Sequence, residues 1–195
     1  MRRARVRAAG PAVVAAGAGV VVAVADSRRR RSSTDMPRAY IGLGANLKDP
    51  AAQLREALAR ISTSPDVTLV AQSALYRSAP LGPAGQAAYC NAVCAVDTRL
   101  SPGRLLTLLH DVERAMGRER PPERWASRLI DLDLLHYERV KLKTLRLQLP
   151  HVELHRRNFV AVPLAEIAPA LELPGLGIVS ELATKLGREG LAIWN

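Results

Sequence analysis

The sequence predicts an α+β fold, one antiparallel sheet with helices packed against it. From Pro37 onward, apolar runs of strand length alternate with stretches whose apolar residues recur every three or four positions. Turn-forming residues separate these runs at Asp49-Pro50, Pro80 to Gly85, Ser101-Pro102 and Gly117. The chain has 195 residues, 48% of them hydrophobic, which suits one globular core.

In order, "RAYIGLGAN" reads as a short strand ending in a glycine-containing loop. Asp49 and Pro50 form an N-cap and first-turn pair, and Leu54, Ala57, Leu58 and Ile61 give the helical stripe behind them. "DVTLVAQSALYRS" has the length and β-branched content of a strand, and "SAPLGPAG" is a loop. "AAYCNAVCAVDT" is a further strand. Ser101-Pro102 then starts a helix whose apolar face is Leu105, Leu108, Leu109, Val112 and Met116, stopped by Gly117. A charged loop, "RERPPER", leads to the strand in "WASRLIDLDLLHY". Strand, helix, strand, strand, helix, strand is the order of a ferredoxin-like βαββαβ sandwich. "LPHVELHRRNFVAVPLAEIAP" adds a loop and a helix, and a small C-terminal piece ends near Trp194. Residues 37–195 are therefore expected to form one domain.

Residues 1–36 are an Arg/Ala/Val-rich extension, expected to be disordered. Residues 1–35 hold eight Arg and two Asp, so they carry +6 of the formal +10, leaving a mild +4 on the rest. That remainder suits a phosphate-bearing small ligand and does not demand nucleic acid. The basic start, the Ala/Val/Gly run and Ala23-Val24-Ala25 resemble a signal peptide. Three readings stay open here: a targeting segment, a disordered tail, or an upstream extension ahead of a start at Met36. Cys90 and Cys94 lie about 13 Å apart on one strand, too far for a disulfide, so buried reduced thiols are expected. Reduced thiols suit a cytoplasmic location.

Two acids stand out in the last strand. Alternation puts Asp131 and Asp133 on one face, Cα atoms about 6.6 Å apart, with Ile130, Leu132 and Leu134 on the other. Neighbouring carboxylates repel and lose hydration, so positive charge must sit against them. Arg118, Arg120, Arg124 and Arg128 precede them closely. Two readings fit: acids neutralised by arginines, or acids holding Mg²⁺ beside a polyphosphate that the arginines bind. Opposite the cysteines, Tyr89 and Asn91 share a strand face. An Asn amide offers donor and acceptors to a flat heterocycle's edge, and Tyr89, Trp125 and Phe159 are available to stack on its ring. No Walker P-loop, G-x-S-x-G elbow or H-E-x-x-H zinc pair occurs.

Together, "AYIGLGANL", "YRSAPLGPAGQAAYCNAV", "ERAMGRERPPERWASRLIDLDLL", "LPH" and "FVAVPLAEIAP" resemble the successive blocks of the 6-hydroxymethyl-7,8-dihydropterin pyrophosphokinase family. The resemblance covers nearly all of residues 38–170. It implies transfer of pyrophosphate from ATP to 6-hydroxymethyl-7,8-dihydropterin, with release of AMP, in folate biosynthesis. It implies Asp131 and Asp133 as ligands of two Mg²⁺ ions, with Arg118 and Arg128 joining them in catalysis. ATP would be held by Glu113, Arg118, Arg120, Arg128, His151 and Arg157. The pterin would meet Ser78, Leu81, Tyr89, Asn91, Trp125 and Phe159. A monomer with no nucleic-acid or membrane partner is expected. Two positions depart from the family pattern: His110 stands where Gln is common, and Ala79 where Pro is frequent. The rival readings are another Asp-x-Asp transferase of nucleotidyl or glycosyl groups, and a basic RNA-binding module. The second would want exposed aromatics on the sheet, and its RNA phosphate would be repelled by the paired acids.

Overall fold

The computed structural model describes the backbone of residues 19–22 and, with their side chains, residues 36–80, 85–118 and 128–195. Within the N-terminal extension, Gly19–Val22 (β1) is a strand. Arg38–Ala45 (β2) follows, then Pro50–Ser62 (α1), with Val67–Gln72 (β3) and Tyr76–Ser78 (β4) after it. Tyr89–Thr98 (β5), Pro102–Ala115 (α2) and Asp131–Tyr137 (β6) complete the repeat. β2 lies between β5 and β6, and β5 pairs on its other edge with β3 and β4, every pairing antiparallel. In strand order this is 4-1-3-2, the ferredoxin-like arrangement.

Local chemistry accounts for the helix ends. The Asp49 side chain accepts from Ala52 N at 3.0 Å, and Pro50 opens α1 with φ already set. At the end of α2, Gly117 takes φ +83°, which a side chain resists. Gly117 N then donates to Arg114 O and Arg118 N to Glu113 O, both at 3.0 Å. This pair of bonds is a Schellman turn, and it folds Arg118 back over Glu113.

The alternation expected of the strands sorts residues into two cores. Ile41, Leu43, Cys90, Ala92, Cys94, Leu132 and Leu134 face α1 and α2, where Leu54, Leu58, Ile61, Leu105 and Leu109 bury against them. Each leucine or isoleucine among them contributes about 1.5–3 kcal/mol by leaving water. Both cysteines are free and buried, and burial pushes each thiol up to about 12. The opposite face carries Tyr40, Val93, Ala95 and Leu135. The C-terminal additions cover it: Asn158–Ile167 (α3) and, farther on, Val179–Leu186 (α4), which pack together. Between β6 and α3 lie Lys141–Thr144 (β7) and Gln148–Leu149 (β8), a hairpin extended by β1 on β7, then a turn at Leu154–Arg156. Glu172–Leu173 (β9) and Gly177–Ile178 (β10) form a small hairpin before α4, and Leu191–Ile193 (β11) returns to pair with β4.

One expectation is corrected. "DVTLVAQSALYRS" is two strands, because at Ser73 a side chain replaces the main chain in the ladder. Ser73 N donates to Val93 O at 2.9 Å, while Val93 N donates to Ser73 Oγ at 3.0 Å. Ser73 through Leu75 are thereby turned out of strand geometry.

A register shift between Tyr40 and Ile41 leaves Leu135 as an extra residue on β6. Beyond it His136 is fully buried, stacked on Tyr40 with centroids 6.2 Å apart, and neither ring nitrogen has a hydrogen-bond partner among the described residues. Burial pushes its pKa down to about 4. Above pH 6.5 both folded and unfolded chains carry a neutral imidazole there, so nothing is lost. As pH falls from 6.5 toward 4, the unfolded chain takes up a proton that the fold refuses, and stability drains by up to about 3 kcal/mol. His136→Phe should flatten that part of the stability–pH curve in urea titrations between pH 7 and 4. Parallel curves for the two proteins would show that His136 titrates normally.

Candidate active site

The cleft opens on the face of the sheet shared with α3, and glycine makes its floor. In the middle strand, Gly42 is paired with Asp133 and Gly44 with Asp131 on one side, and Gly44 with Asn91 on the other. A Cβ on Gly42 would stand 3.3 Å from Leu135 Cδ2, and one on Gly44 3.4 Å from Asn91 Oδ1. The missing side chains leave a trough between Asn91 and the two acids. The resulting cavity measures about 330 Å³.

Nine of the residues singled out from sequence line it: Ser78, Tyr89 and Asn91 from the edge side, Arg128, Asp131 and Asp133 from the acid side, and His151, Arg157 and Phe159 from the segment entering α3. Arg118 joins them through Asp131. Glu113 does not line the cavity; it is buried behind the acids at 4% exposure. Leu81, Arg120 and Trp125, like Arg124, lie outside the described residues. Of the two departures, Ala79 lines the cavity and His110 is exposed on α2.

On the edge side, Asn91 Nδ2 donates to Ser78 Oγ at 2.9 Å and reaches Tyr76 O at 3.5 Å, so the amide is held with Oδ1 over Gly44. Tyr89 is half-buried, and burial raises its phenol above the ordinary range. Across the trough, the Arg157 guanidinium carbon lies 5.9 Å from the centre of the Phe159 ring.

The acid side is a charge network. Arg118 Nη2 pairs with Asp131 Oδ1 at 2.9 Å and Arg128 Nη1 with Asp131 Oδ2 at 2.7 Å. Arg118 Nη1 also pairs with Glu113, whose Oε1 accepts the buried Leu132 N–H at 2.7 Å. Burial pushes the Glu113 carboxyl up to about 7, against the pull of that N–H and of Arg118. The neighbouring Asp133 has no such partner among the described residues. Burial and then the charge of Asp131 hold its carboxyl above the usual range, while His151, Arg157 and Arg118 pull it back.

Asn46, not among the residues singled out from sequence, ties the two sides together. It is 3% exposed; its Oδ1 accepts from Arg128 N at 2.9 Å, its own N donates to Arg128 O at 3.1 Å, and its Nδ2 donates to Ala87 O at 3.3 Å. The end of the arginine loop and the approach to Tyr89 are thus fixed to the C-terminal end of β2. A glycine-interrupted strand ending in Asn was the signal available for this.

Two carboxylates on one strand face, with arginines against one of them, thus stand across a glycine floor from an amide and an aromatic wall. The sequence profile of 7,8-dihydro-6-hydroxymethylpterin-pyrophosphokinase (HPPK) matches residues 40–169. The chain belongs to that family. It is 46% identical over 147 residues to the 2-amino-4-hydroxy-6-hydroxymethyldihydropteridine pyrophosphokinase of Haemophilus influenzae, covering 75% of this chain and 91% of that one. The Methylorubrum extorquens enzyme of the same name is 44% identical over 156 residues, covering 80% and 98%. Among solved structures, wild-type HPPK-DHPS of Plasmodium falciparum with pteroate superposes with a TM-score of 0.61 at 13% identity. That match covers 77% of this chain and 42% of the other, so the HPPK member spans less than half of the longer protein. The fold is the α+β fold of HPPK domains, and the family makes this chain an ATP-dependent diphosphokinase.

Proposed function

We infer that this chain transfers the pyrophosphoryl group of ATP to the hydroxymethyl oxygen of 6-hydroxymethyl-7,8-dihydropterin, releasing AMP in folate biosynthesis, and that it does so in the glycine-floored cleft. The observation that carries the site assignment is the trough itself, with a heterocycle-reading amide on one wall and paired acids with two arginines on the other.

Asn91 meets the pterin edge, its amide already oriented by Ser78, while Tyr89 and Phe159 flank the ring and Leu81 and Trp125 complete the subsite. The triphosphate lies toward Arg118, Arg128, His151 and Arg157, with Arg120 from the same loop. Glu113 acts from behind, holding Arg118 and the Leu132 amide. Without nucleotide, Arg118 and Arg128 neutralise Asp131; phosphate oxygens compete for the same guanidinium groups and free that carboxylate.

Asp131 and Asp133 fit Mg²⁺. Two hard oxygen donors, with no cluster of three or more acidic, histidine or cysteine ligands among the described residues, suit a cation that keeps water and takes its other ligands from phosphate. The Asp133 carboxyl, raised by burial and by Asp131, gains most from such a charge. Two ions held there would neutralise the polyphosphate and ease deprotonation of the hydroxyl. Pterin and triphosphate bound in line make the transfer effectively intramolecular.

We also read the chain as a monomer acting without nucleic acid in the cytoplasm, the two free thiols supporting the last. Among the described residues no helix is long and apolar enough to cross a membrane.

The test is AMP release by the full-length protein given ATP, Mg²⁺ and 6-hydroxymethyl-7,8-dihydropterin. AMP should form only when all three are present and should stop on adding EDTA. AMP formed without the pterin, or ADP in its place, would overturn the reading.

A further inference from the structure

The break between β3 and β4 has its own set of partners. Ser73 is tied to Val93 as described, and Leu75 O accepts from Trp194 N at 2.8 Å. The Ala74 N–H, turned out of the sheet, donates to Glu166 Oε1 at 2.9 Å. The same carboxylate's Oε2 accepts from the Tyr76 hydroxyl, also at 2.9 Å. One side chain, ninety residues or more away in sequence, holds a residue of the break and the first residue of β4 at once.

Both ends of this arrangement lead to the cleft. Two residues beyond Tyr76 stands Ser78, whose Oγ orients the Asn91 amide, and Tyr76 O lies near the same amide nitrogen. Glu166 sits in the last turn of α3, and Phe159 sits in the first, about 10 Å away along the axis. The helix that carries the aromatic wall is therefore clasped to the strand that orients the edge-reading amide. Burial and Glu166 together raise the Tyr76 phenol, so that hydroxyl keeps its proton for the bond.

We propose that Glu166 is a positioning residue for the pterin subsite, setting the gap between Phe159 and Asn91 through Ala74 and Tyr76. This rests on the assignment of Asn91 and Phe159 to the pterin. The carboxylate's two hydrogen bonds go to Ala74 and Tyr76, outside the arginine and acid cluster, so its effect should fall on one substrate only.

The experiment is steady-state AMP release by full-length wild type, Glu166→Ala, Glu166→Gln, Tyr76→Phe and Asn91→Ala, varying each substrate with the other saturating. Glu166→Ala should raise the pterin KM about tenfold, the scale of losing hydrogen bonds to a charged acceptor, with the ATP KM within about twofold. Glu166→Gln should recover most of this, because an amide oxygen can take the Ala74 N–H and its NH₂ can reach the Tyr76 oxygen. Tyr76→Phe should show part of the pterin effect. A Glu166→Ala protein whose two KM values rise together, or whose pterin KM is unchanged, overturns the proposal, whatever happens to its melting temperature. So does a Gln variant no better than Ala. Asn91→Ala separates the two levels: an unchanged pterin KM there sinks the subsite reading itself, whereas a raised one beside an unaffected Glu166→Ala sinks only the clasp.

Discussion

Asp133→Ala should lower the rate of AMP formation by roughly a thousandfold or more and leave the fold intact. The loss follows from removing one of the two carboxylates proposed to hold Mg²⁺, an interaction worth several kcal/mol to the transition state, each 1.36 kcal/mol being a factor of ten. Stability should hold or rise, because the ionised form of Asp133 is opposed by burial and by the charge of Asp131. The check pairs single-turnover AMP release with a urea titration. A variant that unfolds, or that turns over at the parental rate, defeats the metal assignment. Asp131→Ala is a less clean experiment, since it strips Arg118 and Arg128 of their common partner.

Glu113→Ala should behave in the opposite sense. It removes the acceptor for the buried Leu132 N–H and the partner of Arg118 in one step. An unsatisfied buried donor costs about 1–3 kcal/mol and a broken buried pair about 3–5, so a loss near 3 kcal/mol is expected in urea titrations. Activity should fall as well, since Arg118 loses the anchor that aims it at Asp131. Glu113→Gln should lose less stability, because its amide oxygen can still accept from Leu132. A Glu113→Ala protein within about 0.5 kcal/mol of the parent would show that Leu132 and Arg118 find other partners. One acid thus works against the fold and the other for it, though both lie in the same small volume.

Much of this architecture was legible in the sequence because it is written in short-range patterns. Asp49-Pro50 with the stripe from Leu54 to Ile61 announced α1, and Gly117 after Met116 announced the end of α2. The two-residue alternation of Asp131 and Asp133 against Leu132 and Leu134 fixed which face each would take. Asn91 and the cysteines parted to opposite faces for the same reason. The break at Ser73–Leu75 was not legible, since the Ser73 hydroxyl that interrupts the ladder pairs with Val93 and the Glu166 carboxylate that takes the freed Ala74 N–H lies ninety-two residues away, while the local run is as β-prone as its flanks. The β7–β8 hairpin escaped notice because its lysines and short strands carry little apolar signal. The place of Glu113 was hidden too: a carboxylate on the face of α2 reads as solvated until the Schellman turn brings Arg118 back to it.

The glycine floor also acts as a gauge of length. Asn91 stands on β5 and the acids on β6, with β2 between them, and adjacent strands lie about 4.8 Å apart. The backbones of the residue proposed to read the heterocycle and of the acids proposed to face its hydroxyl are therefore held about 10 Å apart by two ladders of backbone bonds. An acceptor is sorted by its reach as well as by its donor and acceptor pattern. A single-ring analogue with the same edge and a hydroxymethyl arm would settle on Asn91 and leave its oxygen stranded over Gly44, bound but out of range of the phosphate.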